Sequence, residues 1–175
     1  LKTGETAIFR APTAEDAEGM LDYMRTVICE TEFLLRAPED PLPDLEGEKR
    51  FLQSFAEGEG NVMIVCEMDG IIVGNCSMNR GRHQKDRHRA GIGIALRRAY
   101  WGRGIGTAMF RELMRIAEEW GLAQMELEFL EGNDRGRALY EKMGFRIYAE
   151  HPNAIHLSDG RVLKEYAMLR PVEKK

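Results

Sequence analysis

Two runs of β-branched and other apolar residues flank an Asp-Gly pair near the middle of the chain. Residues 62–68 read VMIVCEM, residues 71–78 read IIVGNCSM, and Asp69-Gly70 joins them. Asp-Gly between two such runs is the strongest short-range signal for a β-hairpin, because both residues tolerate the backbone angles of a tight turn. The sequence therefore predicts an antiparallel pair of strands at the centre of the fold.

Helical and strand periodicities alternate along the rest of the chain. A short strand over residues 5–11 is followed by two amphipathic helices, the first beginning after Thr13 and the second covering residues 46–57. Later strands are predicted over residues 90–96, 125–130, 145–149 and 162–169, and later helices over residues 106–120 and 134–143. This order predicts an α/β (α+β) fold with a mixed, mostly antiparallel central sheet of about seven strands and helices on both faces.

Composition and charge exclude several classes of protein. A chain of 175 residues that is 43% hydrophobic can bury one sizeable core, so we expect a single domain over residues 1–175. The formal net charge of −4 argues against a dedicated nucleic-acid binder. The sequence has neither an apolar run of the roughly 20 residues that span a bilayer nor a signal-peptide core at its start, which favours a cytoplasmic protein without a membrane segment. Cys29, Cys66 and Cys76 include no Cys-x-x-Cys pair, so we expect reduced core residues and no metal site.

The segment LRRAYWGRGIGTAMFREL has three glycines between a predicted strand and a predicted helix, at positions 102, 104 and 106. Glycines let a ligand approach the backbone, and the first N–H groups of a helix have no intrahelical partner, so this turn suits a diphosphate. The dinucleotide motif Gly-x-Gly-x-x-Gly would need glycine at Thr107, and the Gly-Lys-Ser/Thr of a P-loop is absent. The alternative is a tight turn that only joins strand to helix.

A second motif follows downstream. From Asn133 to Phe145 the sequence reads N-x-x-G-x-A-L-Y-x-x-x-G-F, and the turn upstream reads R-G-I-G from Arg103. With these two motifs in this order, the chain resembles the GNAT superfamily of acetyl-CoA-dependent N-acetyltransferases. The resemblance also covers the order of elements, from Glu5 to Leu169.

The resemblance implies an enzyme that uses acetyl-CoA as cosubstrate, without a metal, and an amine that attacks the thioester directly in a ternary complex. Acetyl-CoA would lie in the gap between the strand ending at Leu96 and the strand beginning near Met125. Main-chain amides after Trp101 would hold the diphosphate, the strand edge would bond the pantetheine arm, and Asn133 would contact that arm. The implied coenzyme-binding positions are Ile94, Leu96, Trp101, Arg103, Gly104, Ile105, Gly106, Thr107, Asn133 and Tyr140.

Tyr140 matches the tyrosine that usually lies near the thioester sulfur, which implies a general acid for the leaving thiolate. A phenol with a pKa of about 10 is protonated at neutral pH, as that role requires. The alternative is a helix-end aromatic packed on Phe145. Trp101 stands where the family usually has Gln or Arg, so one side-chain contribution to phosphate binding is missing from the pattern.

The general base is less well defined, because the strand AGIGIAL lacks the Glu that relatives often carry there. Three residues are candidates: His88 before that strand, Glu128 on a strand face shared with Glu126, and Glu30 beside Glu32 after the first helix. Each has a surface alternative, respectively a solvated loop, a solvent-facing strand face and a solvated helix end.

The acceptor is expected to be a primary amine of a small molecule or of a protein N-terminus. The segment YWGRGIG is similar to the branch that includes ribosomal-protein N-terminal acetyltransferases, which does not fix a substrate. The sequence does not decide whether the donor carries an acetyl or a longer acyl group, or whether the protein is a monomer or a homodimer. The alternative function is a non-catalytic acyl-CoA-binding sensor module.

A basic connection precedes the strand AGIGIAL. It is interpreted as a solvated loop, although its charge could also attract the phosphates of CoA or, in a third view of the chain, RNA. Its basic residues are Arg80, Arg82, His83, Lys85, Arg87, His88 and Arg89.

Overall fold

The computed structural model describes residues 4–173. Within that range the helices are α1 (Ala17–Glu30), α2 (Leu45–Glu57), α3 (Ile105–Glu119) and α4 (Asp134–Lys142). The strands are β1 (Ile8–Arg10), β2 (Asn61–Met68), β3 (Ile71–Arg80), β4 (Arg89–Leu96), β5 (Gln124–Leu130), β6 (Arg146–His156) and β7 (Val162–Pro171). The order of helices and strands is the predicted one.

The seven strands form one sheet in the order β1-β2-β3-β4-β5-β7-β6. The pairs β1–β2, β2–β3, β5–β7 and β6–β7 are antiparallel, whereas β4 and β5 are parallel from Arg89 opposite Gln124 to Gly91 opposite Glu126. The prediction of a mixed, mostly antiparallel sheet is confirmed. The described residues divide into two compact units, residues 4–79 with 93–113 and residues 80–92 with 114–173. The single domain over residues 1–175 stays a prediction.

The first unit contains the predicted hairpin. Met68 pairs with Ile71, and the two residues of the turn between them have positive φ angles, 50° at Asp69 and 78° at Gly70. One face of β2 and β3 packs against α1 and α2 in a core of buried residues. The members of this core are Ala17, Met20, Tyr23, Val27, Leu52, Met63, Val65 and Ile72.

Two of the three cysteines lie in the first unit's sheet, as expected, and the third does not. Cys66 on β2 and Cys76 on β3 are fully buried. Cys29 is exposed on the last turn of α1, so its prediction as a core residue is wrong. The helical periodicity explains this difference, because the preceding residues Val27 and Ile28 take the buried positions.

In the second unit β7 lies between β5 and β6. The sequence predicted only residues 145–149 as the strand before β7, whereas β6 continues to His156. Its residues from Arg146 to Asn153 are exposed, so no alternation of apolar and polar residues marks the strand. Pro152 lies in the last strand of the sheet, where the register with β7 is interrupted between His151 and Ile155, a position that tolerates proline.

Candidate functional site

The turn between β4 and α3 has the geometry that its glycines predict. Gly102 and Gly104 have φ angles of 78° and 92°, left-handed values that glycine adopts at little cost. A Cβ added at Gly104 would meet no atom within 4 Å, so that side of the turn is open. Helix α3 begins at Ile105, and the N–H of Ala108 donates to the Gly104 carbonyl at 3.1 Å. The N–H groups before Ala108 belong to the first turn, which has no intrahelical acceptors.

Two side chains of this turn bond back to the protein. The Trp101 Nε1–H donates to the Leu96 carbonyl at 2.8 Å. Arg103 donates to both carboxylate oxygens of Glu5 at 2.8 and 2.9 Å and to the Ala99 carbonyl at 3.0 Å. Its guanidinium also lies 4.9 Å from the centre of the Tyr100 ring. The side chains at 101 and 103 therefore bond within the protein and hold the shape of the turn.

The end of β4 is fixed by close packing on β3. A Cβ on Gly74 would lie 2.1 Å from Leu96 Cδ2, so the Leu96 side chain occupies the space that this glycine leaves. The next residue, Arg97, donates its N–H to the Val73 carbonyl at 2.9 Å. Ile94 and Leu96 are both half-buried. The Leu96 carbonyl, which belongs to the strand edge that the resemblance directs to the pantetheine arm, accepts the indole N–H of Trp101.

Asn133 is the N-cap residue of α4. Its Oδ1 accepts a hydrogen bond from the Gly136 N–H at 2.9 Å. A Cβ on Gly136 would lie 2.7 to 2.9 Å from the Asn133 amide group, which explains the spacing N-x-x-G in local terms. The helix then carries Tyr140, which is 8% exposed and whose ring centre lies 5.8 Å from that of Phe129. Burial raises the pKa of the Tyr140 phenol to about 12, so the group is protonated at neutral pH.

The candidate bases differ in their surroundings. His88 is exposed directly before β4, and its carbonyl accepts the Ala123 N–H at 2.6 Å. Glu128 on β5 is exposed. The pKa of Glu165 is raised, mainly by the burial of Glu165 itself and to a smaller extent by the nearby charge of Glu128. Glu126 on the same strand forms an ion pair with Arg89 at 2.9 Å. None of these contacts assigns a base, and the role of His88 and Glu128 stays a prediction.

Glu30 is the last residue of α1, and its carboxylate is engaged. Its Oε2 accepts the main-chain N–H of Arg98 at 2.6 Å, just after β4. The Arg98 guanidinium in turn donates to the Glu30 carbonyl. No local sequence pattern predicts this contact, because the two residues lie 68 positions apart.

Two further polar side chains of the first unit were also not identified from the sequence. The Tyr23 hydroxyl is buried 2.9 Å from both the Ala95 carbonyl and Asn75 Oδ1, and burial raises its pKa. Glu48 on α2 is 1% exposed with no hydrogen-bond partner for Oε1, and burial raises the pKa of this carboxyl. The only sequence signal for Glu48 is its spacing of four from the core residue Leu52, which puts both on one helix face.

The basic connection forms a short closed loop. Asp86 accepts the His83 N–H at 2.7 Å, and the Gly81 N–H donates to the Arg89 carbonyl at 3.0 Å. Over residues 4–173, no group of three or more His, Cys, Asp or Glu side chains is arranged to hold a metal ion. In the same range no helix is both long enough and apolar enough to cross a membrane.

Comparison with known proteins identifies the family. The family model described as "Acetyltransferase (GNAT) family" matches residues 29–145. The L-amino acid N-acetyltransferase AaaT of Escherichia coli (strain K12) is 25% identical over 152 residues, which cover 85% of this chain and 91% of that protein.

Two solved structures share the fold. The GNAT-family acetyltransferase from Streptococcus pneumoniae has a TM-score of 0.90 at 22% identity, covering 95% of this chain and 100% of that one. The phosphinothricin acetyltransferase from Sinorhizobium meliloti, solved in complex with acetyl-CoA, has a TM-score of 0.78 at 24% identity, covering 95% and 89%. The family model matches residues 29–145, which are more than half of this chain, so the chain belongs to the GNAT acetyltransferase family.

Proposed function

We propose that this acetyltransferase moves the acetyl group of acetyl-CoA to a primary amine. The observation that carries the proposal is the turn from Trp101 to Thr107, in which left-handed glycines lead directly into the start of α3. Hydrogen bonds to a charged group contribute roughly 1.5–3 kcal/mol each, so three or four amides can anchor a diphosphate without a lysine. The predicted amides are those of Arg103, Gly104, Gly106 and Thr107, together with the peptide of Ile105.

The proposed reaction is a direct transfer. The neutral amine nitrogen bonds to the thioester carbonyl carbon, the carbon–sulfur bond breaks, and the sulfur leaves with the electron pair as the thiolate of CoA. Holding both substrates side by side supplies much of the rate, since effective molarities reach about 10⁵ M or more. The proton that the amine must lose passes to water or to a base, for which His88, Glu128 and Glu30 are the predicted candidates.

Tyr140 is proposed to assist the departure of sulfur by donating a hydrogen bond from its phenolic O–H. With a pKa of about 12, the phenol is a much weaker acid than a thiol, whose pKa is about 8.5. Full proton transfer to the thiolate would therefore be uphill by several kcal/mol at about 1.36 kcal/mol per pKa unit. The phenol consequently serves best as a hydrogen-bond donor that stabilises the negative charge on sulfur as it develops.

For the acceptor we propose the α-amine of an L-amino acid. The support is the name of the Escherichia coli relative, which aligns over most of both chains. The broader class, a primary amine of a small molecule or of a protein N-terminus, is the alternative if no amino acid is acetylated.

A thiol-release assay with acetyl-CoA and a panel of acceptors tests this function. The panel contains the L-amino acids, polyamines, aminoglycosides and an N-terminal peptide, and intact-mass detection identifies the acetylated product. We expect CoA release that depends on at least one amine. Acetyl-CoA binding without amine-dependent release from any acceptor would instead support a non-catalytic acyl-CoA sensor, and no binding would refute the proposed coenzyme.

A further inference from the structure

The segment that joins β4 to the turn is tied to helix α1 by polar contacts. Arg97, the residue after β4, donates to the Ile72 carbonyl at 3.0 Å through Nε. Its two terminal nitrogens donate to Thr26 Oγ1 at 3.2 Å and to Asp22 Oδ2 at 2.7 Å. The Arg97 side chain is 16% exposed and the Asp22 side chain 65% exposed, so these bonds reach from a mostly buried guanidinium to the surface of α1. They connect one side of α1 with β3 and with the end of β4.

Glu30, the last residue of α1, extends these polar contacts from Arg97 to the next residue, Arg98. Glu30 accepts the Arg98 N–H at 2.6 Å, where a 3-10 turn over Arg98–Tyr100 begins. The N–H groups at the start of such a turn have no acceptor within it, so an incoming carboxylate stabilises the turn in this orientation. The Arg98 guanidinium donates to the Glu30 carbonyl and lies 5.6 Å from the Trp101 ring centre. Trp101 completes the series through its bond to the Leu96 carbonyl.

We propose that Glu30 is a positioning residue of the coenzyme turn and not the general base, an inference that rests on the proposed function of that turn. Its carboxylate holds the main chain at Arg98, and the 3-10 turn and Trp101 carry that constraint to the glycines. A base would need the negative charge and proton affinity of a carboxylate. A positioning residue needs only an oxygen that accepts the Arg98 N–H.

The role follows from how the turn binds its ligand. Several main-chain amides must point at one anion simultaneously, and a turn that is already ordered loses less conformational entropy on binding. Without the Glu30 contact, the segment 98–104 samples more conformations in the free protein, and coenzyme binding must select one of them. The loss therefore falls on the dissociation constant of acetyl-CoA and not on the chemical step.

Three variants test the proposal. Glu30→Gln keeps an acceptor oxygen without the charge, Glu30→Ala removes the acceptor, and Glu18→Ala is a matched control that removes an exposed acid from the first turn of the same helix. For Glu30→Ala we expect CoA to bind roughly tenfold more weakly by calorimetry, the factor that 1.4 kcal/mol gives. Its kcat at saturating acetyl-CoA should stay near that of the parent.

Glu30→Gln should largely restore CoA affinity and retain the pH profile of kcat between about pH 6 and pH 9. If Glu30 were the general base, both Glu30 variants would lose kcat and the acidic limb of the pH profile would change, while CoA affinity would stay constant. That result would overturn the proposal. If Glu30→Ala does not fold, Glu30→Leu replaces it as the variant without an acceptor.

Amide hydrogen exchange of the free protein separates this inference from the proposed function. We expect Glu30→Ala, but not Glu18→Ala, to accelerate exchange at Arg98 and through the following turn. Unchanged exchange there would refute the positioning role even if CoA binds. Accelerated exchange in a protein that binds no CoA would leave the structural contact established and refute the coenzyme assignment instead.

Discussion

The starts of helices α3 and α4 differ in the residue that precedes each helix, Gly104 at α3 and Asn133 at α4. Both helices follow a strand and belong to the two motifs that resemble the family. Asn133 precedes α4, and its side chain accepts the Gly136 N–H, so part of the helix start is satisfied internally. Gly104 precedes α3 and has no side chain to offer. The neighbouring Arg103 carries only donors, and these bond to Glu5 and Ala99.

This difference supports the proposal that the start of α3 binds an anion. At α3 a Cβ added to Gly104 would meet no atom within 4 Å, so the approach to the helix start is open. At α4 the cap stabilises the helix, and the proposed contribution of this helix to the reaction is a side chain two turns later, Tyr140. The proposed function thus assigns a different kind of site to each motif, one made of main chain and one made of a buried phenol.

The largest expected effect comes from closing the open side of the α3 turn. Gly104→Val puts a branched side chain in front of the amides, and losing three charged hydrogen bonds at about 1.5 kcal/mol each weakens binding by roughly 1000-fold. Calorimetry with CoA measures this. Gly160→Val is the matched control, because Gly160 also has a positive φ angle, 89° against 92°, and also has no atom within 4 Å of an added Cβ. The strain costs both variants about 1–2 kcal/mol of stability, and equal CoA affinity in the two would contradict the assignment of the turn.

At α4 the effect should fall on turnover. Tyr140→Phe removes the hydroxyl and keeps the ring that packs against Phe129, so we expect kcat to fall on the order of 100-fold, as for loss of one hydrogen-bond donor to a developing negative charge. CoA affinity should change by less than about twofold, under 0.5 kcal/mol. Steady-state kinetics and calorimetry give the two values. Tyr148→Phe on β6 serves as control, since that tyrosine is 54% exposed. An unchanged kcat would remove Tyr140 from the mechanism.

The first unit also contains two buried thiols, Cys66 and Cys76. Their raised pKa values predict that the protein loses stability at alkaline pH. Burial raises the pKa of Cys66 to about 11 and that of Cys76 to about 12. In the unfolded chain a thiol has a pKa of about 8.5. Above that pH the unfolded state binds fewer protons than the folded state, so the free energy of unfolding decreases. Two such groups should remove about 2 kcal/mol between pH 8.5 and pH 9.5.

Urea denaturation at several pH values measures this slope. Cys66→Ala should reduce it by about half, because one of the two thiols no longer titrates. Tyr140→Phe should leave it unchanged over that range, because a phenol in the unfolded chain titrates only near about pH 10. A slope that is the same in the parent and in Cys66→Ala would show that the buried thiols are not its source.

Features encoded by neighbouring residues could be predicted from the sequence. The Asp69-Gly70 hairpin, the order of the elements and the glycine turn each depend on a few consecutive positions, and the structure confirms the first two and the geometry of the third. Strand β6 was predicted too short because an exposed edge strand imposes no apolar alternation.

The contacts of Glu30, Arg97 and Trp101 were not predicted. Those of Glu30 and Arg97 join residues 25 to 75 positions apart, and no local pattern marks which acid reaches which N–H. Trp101 bonds only five residues back, but its indole N–H could have met many acceptors. A main-chain site is therefore easier to read from sequence than a site that depends on where side chains point.

The smallest effect tests the other half of the comparison, the cap of α4. Asn133→Ala removes the acceptor for the Gly136 N–H and should lower the free energy of unfolding by about 1 kcal/mol, a typical value for an N-cap. Asn133→Asp keeps an acceptor oxygen and adds a negative charge at a helix start, so its stability should equal that of the parent. Both variants lose the amide NH₂, so both should bind CoA more weakly if Asn133 also contacts the pantetheine arm. Equal CoA affinity in all three proteins would confine Asn133 to capping, and α4 would then serve the reaction through Tyr140 alone.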